Sequence, residues 1–322
     1  MSRLIVAAAT LVVLMGPASD PDGAAMLKKI LLVLLLRGIL CVGTQSVHAQ
    51  MQTTPRAVVE DSPVDKQFPP GLAILTVPSH GVEMDGFLYL ASGATPHGTV
   101  LLLHGLPGYE INADLAQSIR RAGWNVLLFH YRGTWGTAGT FSFSSAIEDT
   151  AEAVRFLRNS ENVLKYRIDP QRLVVIGHSV GGFLSGYEAS HDPGIIAVGM
   201  IAAVNIGKMN ADKKEREARL KRWETQLHPA QGITASGLFD EADRHAKEWD
   251  YLQWADSLRS RPLLLLEADD QNRAEMEALA AALRKKGSTA LEERAMATDH
   301  SFSDQRISLQ AIVIDWLEKL QK

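Results

Sequence analysis

Leu173-Val174-Val175-Ile176-Gly177-His178-Ser179-Val180-Gly181-Gly182-Phe183-Leu184 is the stretch on which the fold turns. Its four leading apolar residues suit a short strand buried on both faces. The pattern G-x-S-x-G follows that strand at once, and Gly182, Phe183 and Leu184 open a helical segment. A serine that must project its hydroxyl into a site stands at a tight strand-to-helix turn of this kind. The turn strains the backbone and presses strand against helix, so side chains at both flanking positions would clash. Glycine at 177 and 181 is therefore a physical requirement. The pattern alone is weak, since chance supplies it in on the order of one in ten chains of this length. Its place between a buried strand and a helix gives it weight.

On either side the chain alternates strand and helix. Apolar runs at 100–103, 126–129, 195–204 and 263–266 read as buried strands, and β-rich runs precede them at 73–77 and 87–90. Between them Ile147, Ala151, Val154 and Arg158 advance by helical steps, with three apolar members facing the sheet. Met276, Leu279 and Leu283 do the same, as do Leu309, Ile312, Trp316 and Leu320. Such alternation with short loops predicts an α/β protein with a mainly parallel, doubly wound sheet.

One segment, 206–261, breaks the alternation. It holds 11 Lys/Arg and 10 Asp/Glu and no strand-like run, so it reads as a helical lid lying over the sheet. Leu220, Trp223 and Leu227 form a helical stripe, and Glu215/Arg219 and Glu217/Lys221 stand at the spacing of ion pairs. Packing of that stripe accounts for Trp223, Trp249 and Trp254. The sharper alternative is that these aromatics wall a substrate pocket.

The whole chain has 322 residues, 46% hydrophobic and 22% charged, which excludes disorder, collagen-like repeats and a coiled coil. A net charge of −4 provides no global basic field, so nucleic acid is not an expected partner. A single cysteine, Cys41, excludes an internal disulfide framework and a C-x-x-C zinc site. Residues 1–49 read as an export leader. From Met26, the expected true start, a basic pair (Lys28, Lys29) precedes an apolar run and then Val47-His48-Ala49, which places cleavage before Gln50. Export to the periplasm or medium follows, with no stable membrane insertion after cleavage; an uncleaved N-terminal anchor is the alternative. Residues 50–70 read as a polar linker and 71–322 as the catalytic domain.

A serine hydroxyl needs a base, an acid that orients the base, and an oxyanion hole. The base is His300, in a loop between an expected last strand (290–297) and the last helix; of ten histidines only this one lies there. The acid should follow strand 263–266, where the chain reads Glu267-Ala268-Asp269-Asp270; Asp270 is preferred and Asp269 is the alternative. One oxyanion N–H belongs to Val180, at the start of its helix. The other is expected from Leu106 in His104-Gly105-Leu106-Pro107-Gly108, where Gly105 allows the tight turn. Cofactor and metal fingerprints are missing: 133–139 is G-x-x-G-x-x-G rather than a dinucleotide motif, no P-loop occurs, and no histidines cluster at ligand spacing.

His104-Gly-Leu-Pro-Gly, Phe129-His-Tyr-Arg-Gly-Thr-Trp-Gly, Gly177-His-Ser-Val-Gly-Gly and Asp299-His-Ser-Phe resemble the α/β-hydrolase superfamily, in order, across 71–320. The resemblance is to its dienelactone-hydrolase-like and prolyl-oligopeptidase-like serine esterases and peptidases. It implies an eight-stranded α/β-hydrolase sheet and a Ser/Asp/His hydrolase that uses no cofactor. Glu267 departs from that branch, which commonly has glycine there. The expected substrate is a small carboxylic ester, with a peptide or thioester as alternatives of the same fold. A noncatalytic binding protein is the remaining class. Serine at the turn excludes the aspartate-dependent dehalogenase and epoxide-hydrolase readings.

Overall fold

The computed structural model describes residues 54–321. The leader 1–49, the start at Met26, the cleavage point before Gln50 and Cys41 lie outside the described residues. Eight strands form one sheet: β1 (Gly71–Ser79), β2 (Val82–Leu90), β3 (His97–Leu103), β4 (Asn125–Phe129), β5 (Ile168–His178), β6 (Ile195–Ile201), β7 (Leu263–Glu267) and β8 (Leu291–Ala295). Their spatial order is β1-β2-β4-β3-β5-β6-β7-β8. β2 runs antiparallel to both its neighbours, and every other pairing is parallel. The main helices are α1 (Ala113–Arg121), α2 (Phe143–Arg158), α3 (Ser160–Tyr166), α4 (Val180–His191), α5 (Lys213–Gln226), α6 (Ala235–Arg244), α7 (Arg273–Lys285) and α8 (Arg306–Lys319).

Alternate residues of a strand point to opposite faces, and that parity sorts the core into two layers. Leu101, Leu103, Leu127, Phe129, Val175 and Leu265 pack on one side, with Val154 of α2, Phe183 of α4 and Leu279 of α7. Val100, Leu102, Val126, Leu128, Val174, Ile176 and Leu264 pack on the other, with Leu115 of α1 and Val313 and Trp316 of α8. The central strands are buried on both faces, which is why they read as unbroken apolar runs. The edges differ. In β1, Ile74 is 79% exposed, and β8 carries Glu292, Glu293 and Arg294, charges that discourage addition of another strand.

β4 flanks β3 on one side and β5 on the other, so the winding reverses at β3/β5. Ligands of open α/β sheets bind beyond the carboxyl ends of the strands at such a point. The loops 104–108 and 177–181 both leave from it.

Residues 54–70, within the segment read as a linker, lie against the body. A single helical turn, Arg56–Val59, buries Ala57, whose carbonyl accepts from Arg121 Nε at 2.6 Å. The Phe68 carbonyl accepts from the Gly93 amide at 3.0 Å.

Segment 206–261 is helical, holding α5, α6 and single turns at Ile206–Lys208, Tyr251–Trp254 and Ala255–Leu258. Glu241 of α6 fastens it to the body: its buried carboxylate accepts from the Phe143 amide at 2.9 Å and from the Ser144 amide and hydroxyl at 3.0 and 2.7 Å. An anion at the N-terminus of α2 satisfies amides that the helix leaves unpaired. The expected pairs Glu215/Arg219 and Glu217/Lys221 are not among the ion pairs of the described residues. Such exposed pairs gain little for the side-chain freedom they cost. Arg216 instead reaches Asp240 of α6 at 3.0 Å. Among the described residues no helix is long and apolar enough to cross a membrane.

Candidate active site

Ser179 sits between β5 and α4 with φ 59° and ψ −117°, a conformation that costs a non-glycine residue on the order of 1–3 kcal/mol. The neighbours hold it there. Its amide donates to the Ile201 carbonyl at 2.9 Å, and its carbonyl accepts from the Val204 amide at 3.2 Å. A Cβ on Gly177 would lie 1.9 Å from the Gly181 carbonyl oxygen, and one on Gly181 would lie 2.2 Å from the Leu103 carbonyl oxygen. Both contacts are backbone against backbone, so no rotamer change relieves them. Val180 is the first residue of α4, where a helix provides no intrahelical partner for the N–H.

The loop after β3 crosses this turn closely. A Cβ on Gly105 would meet Ser179 Cβ at 2.9 Å and Ser179 Oγ at 3.5 Å, which brings the backbone around half-buried Leu106 next to the hydroxyl. Three residues of the loop after β4 brace it, a role that 129–136 did not reveal as sequence. Tyr131 Oη donates to the His104 carbonyl at 2.9 Å, and Trp135 Nε1 donates to the Pro107 carbonyl at 2.6 Å. His130 Nδ1 lies 3.3 Å from His104 Nε2. Burial pushes the His104 imidazole down to about 3, and the neighbouring His130 adds to this. His104 is therefore neutral, a fixed dipole rather than a charge.

The acid loop and the last loop meet. His300 Nδ1 is 2.5 Å from Asp270 Oδ2, and the Asp270 side chain is 7% exposed. Asp269 is 73% exposed and pairs with Arg273 at 3.5 Å. Of the two carboxylates that the sequence left open, Asp270 is the one that reaches His300. Its other oxygen accepts from the Asn272 amide at 2.8 Å.

His178 links this pair to the serine turn. Its Nε2 lies 2.7 Å from the His300 carbonyl, and since a carbonyl only accepts, Nε2 carries the proton. Burial holds the His178 imidazole down at about 3, with the nearby His300 the second cause. The middle position of Gly177-His178-Ser179 carried no sequence signal for this contact. Glu267, the departure from the family pattern, is buried at the end of β7; burial first, and then Glu293, raise its carboxyl to about 7. Among the described residues no group of His, Cys, Asp or Glu is placed to hold a metal ion.

A half-buried serine in a turn of strand into helix, a carboxylate–imidazole pair and a glycine-rich loop thus lie at the carboxyl ends of the central strands. The sequence profile of the Alpha/beta hydrolase family matches residues 100–306, and the chain belongs to that family. Among curated proteins, YfhR of Escherichia coli K12, described as uncharacterized, is 33% identical over 85 residues. That match spans 26% of this chain and 28% of the relative's length. Among solved structures, the Pyrococcus furiosus esterase Pf2001 shares 17% identity over 80% of this chain and 97% of its own, with a TM-score of 0.56. The 2,6-dihydroxy-pseudo-oxynicotine hydrolase shares 17% over 78% of this chain and 68% of its own, at 0.57. The Pyrococcus horikoshii acylaminoacyl peptidase shares 16% over 78% of this chain and 41% of its own, at 0.58. At such identities these structures show a common fold. The chain has the α/β-hydrolase fold.

Proposed function

We propose that the chain is an exported serine hydrolase that cleaves a small carboxylic ester through an acyl-enzyme on Ser179. The observation that carries the reading is a serine in a strained, left-handed turn whose neighbour His178 bonds the backbone of His300, an imidazole held by a buried carboxylate. Asp270 accepts the Nδ1 proton of His300, which leaves Nε2 as the basic nitrogen. Nε2 takes the Ser179 hydroxyl proton as Oγ attacks the ester carbonyl. The oxyanion is held by the backbone N–H groups of Leu106 and Val180. The imidazolium returns its proton to the leaving alkoxide. Water, deprotonated by the same nitrogen, then releases the acid from Ser179. Export is supported by the leader pattern ending in Val47-His48-Ala49.

The test is turnover of p-nitrophenyl esters of graded acyl length by purified wild-type and Ser179→Ala chains. The reading expects wild-type turnover and a loss of about 10³-fold or more in kcat on Ser179→Ala. Undiminished turnover by Ser179→Ala, in a preparation free of host esterases, overturns it.

A further inference from the structure

A cleft of about 90 Å³ separates α5 from the acid loop. Val204, Gln271 and Asn272 line it on the side of the candidate active site, and Arg219, Arg222 and Trp223 line it from α5. Two of the first group hydrogen-bond to residues of the candidate active site. Val204 bonds to the Ser179 carbonyl at 3.2 Å, and Asn272 bonds to Asp270 Oδ1 at 2.8 Å. The cleft thus adjoins the backbone of the serine turn and the acid loop on one side and α5 on the other.

The charges of the cleft are unevenly matched. Lys208, also on its wall, is neutralised by Glu275 at 3.4 Å and Asp250 at 4.0 Å. Those two carboxylates are further occupied by Asn205 Nδ2 at 3.3 and 2.9 Å. Arg216, one turn before Arg219, pairs with Asp240 and lies over the Phe239 ring. Arg219 and Arg222 have guanidinium groups with no hydrogen bond or ion pair among the described residues. Packing does not explain them, because α5 buries none of its residues. Residues three apart on a helix share a face, and a guanidinium presents a fork of donors that matches carboxylate or phosphate oxygens. Trp223 adds an apolar wall, half-buried between Phe143 and Phe239.

We propose that the cleft selects esters bearing an oxyanion group, a carboxylate or a phosphate-type anion, which Arg219 and Arg222 hold while Trp223 packs on the intervening chain. The inference rests on Ser179 being the nucleophile, and it adds the chemical class of the substrate.

The test compares mono-p-nitrophenyl glutarate, p-nitrophenyl 4-phosphonobutanoate and neutral p-nitrophenyl valerate on wild type and on the double variant Arg219→Gln/Arg222→Gln. Wild type should prefer at least one anionic ester over valerate by about tenfold in kcat/KM, and the preferred arm names the anion. The preference should shrink between low salt and 1 M salt, where screening shortens to about 3 Å. The double variant should lose it while its rate on valerate changes less than about twofold. A wild type without the preference, a variant that keeps it, or a variant equally slow on all three esters overturns the proposal. Isothermal titration of glutarate and inorganic phosphate into the Ser179→Ala chain separates this failure from failure of the nucleophile assignment. Saturable binding of either anion that the two arginine substitutions abolish supports the site even if no ester is cleaved, and absence of binding refutes it.

Discussion

Replacing His178 by Gln should make the fold less sensitive to acid, by an amount that follows from its burial. The imidazole has an ordinary value of 6.5 and is held at about 3 in the folded chain, chiefly because burial excludes the charged form. Between those values the unfolded chain binds a proton that the folded chain refuses. Stability therefore falls as pH falls through the window from 6.5 to 3. At pH 5 the unfolded group is 1.5 units below its midpoint, which corresponds to about 2 kcal/mol at 1.36 kcal/mol per unit. His104, also fully buried and held at about 3, adds a similar amount. Glu188 and Glu267, both raised to about 7 chiefly by burial, act in the opposite direction: they stabilise the fold at low pH, and that contribution is lost as pH rises through 7. The wild-type curve mixes all four, so the difference between wild type and His178→Gln isolates one. A glutamine amide can still donate to the His300 carbonyl, which limits other losses. Urea unfolding at pH 8 and pH 5 measures the gap. It should move by about 2 kcal/mol in the variant's favour at pH 5, roughly 1 M in midpoint for an m-value near 2 kcal/mol/M. Parallel pH dependence of the two chains, within about 0.5 kcal/mol, would refute a neutral buried His178.

Asp270→Asn should depress ester turnover by about 10³-fold or more, whereas Asp269→Asn should leave it within about twofold, because only Asp270 reaches His300; kcat of the two purified variants decides. Trp249 is buried between Phe143 and Phe183, and its replacement by Ala should cost about 3–5 kcal/mol in urea unfolding. Trp223→Ala, at the cleft, should instead change KM and acyl-chain preference with a smaller stability loss; equal effects of the two on stability would count against the distinction. N-terminal sequencing of the protein from its native host should begin at Gln50, and a chain retaining Met1 or Met26 would remove the export proposal.

The sheet's centre was legible because β3, β4, β7 and the second half of β5 are buried on both faces and are therefore largely apolar. Its margins were less so. β1 and β2 extend beyond the runs 73–77 and 87–90, since near the sheet's margin one face is only partly covered and tolerates exposed residues such as Asp85 of β2. Ser179 and His300 could be picked as candidates because steric demand and chain position each single out one residue. In the sequence Asp270 is preferred as the acid on its distance from the strand alone, with Asp269 as the alternative, because what separates the two is burial created by the fold. The braces on loop 104–108 were hidden for a related reason: Tyr131 and Trp135 act on a segment about 27 residues earlier through ordinary hydrogen bonds that leave no local pattern. The solvated face of α5 was read as ion-paired, yet Arg219 and Arg222 are the cations left free beside the cleft.

The nucleophile itself is tested most directly by mapping the site of fluorophosphonate attachment with peptide mass spectrometry. The account predicts one adduct per chain, on Ser179, formed at least about 10³-fold more slowly by His300→Ala. An adduct on any other residue, or full labelling of Ser179→Ala, would contradict it.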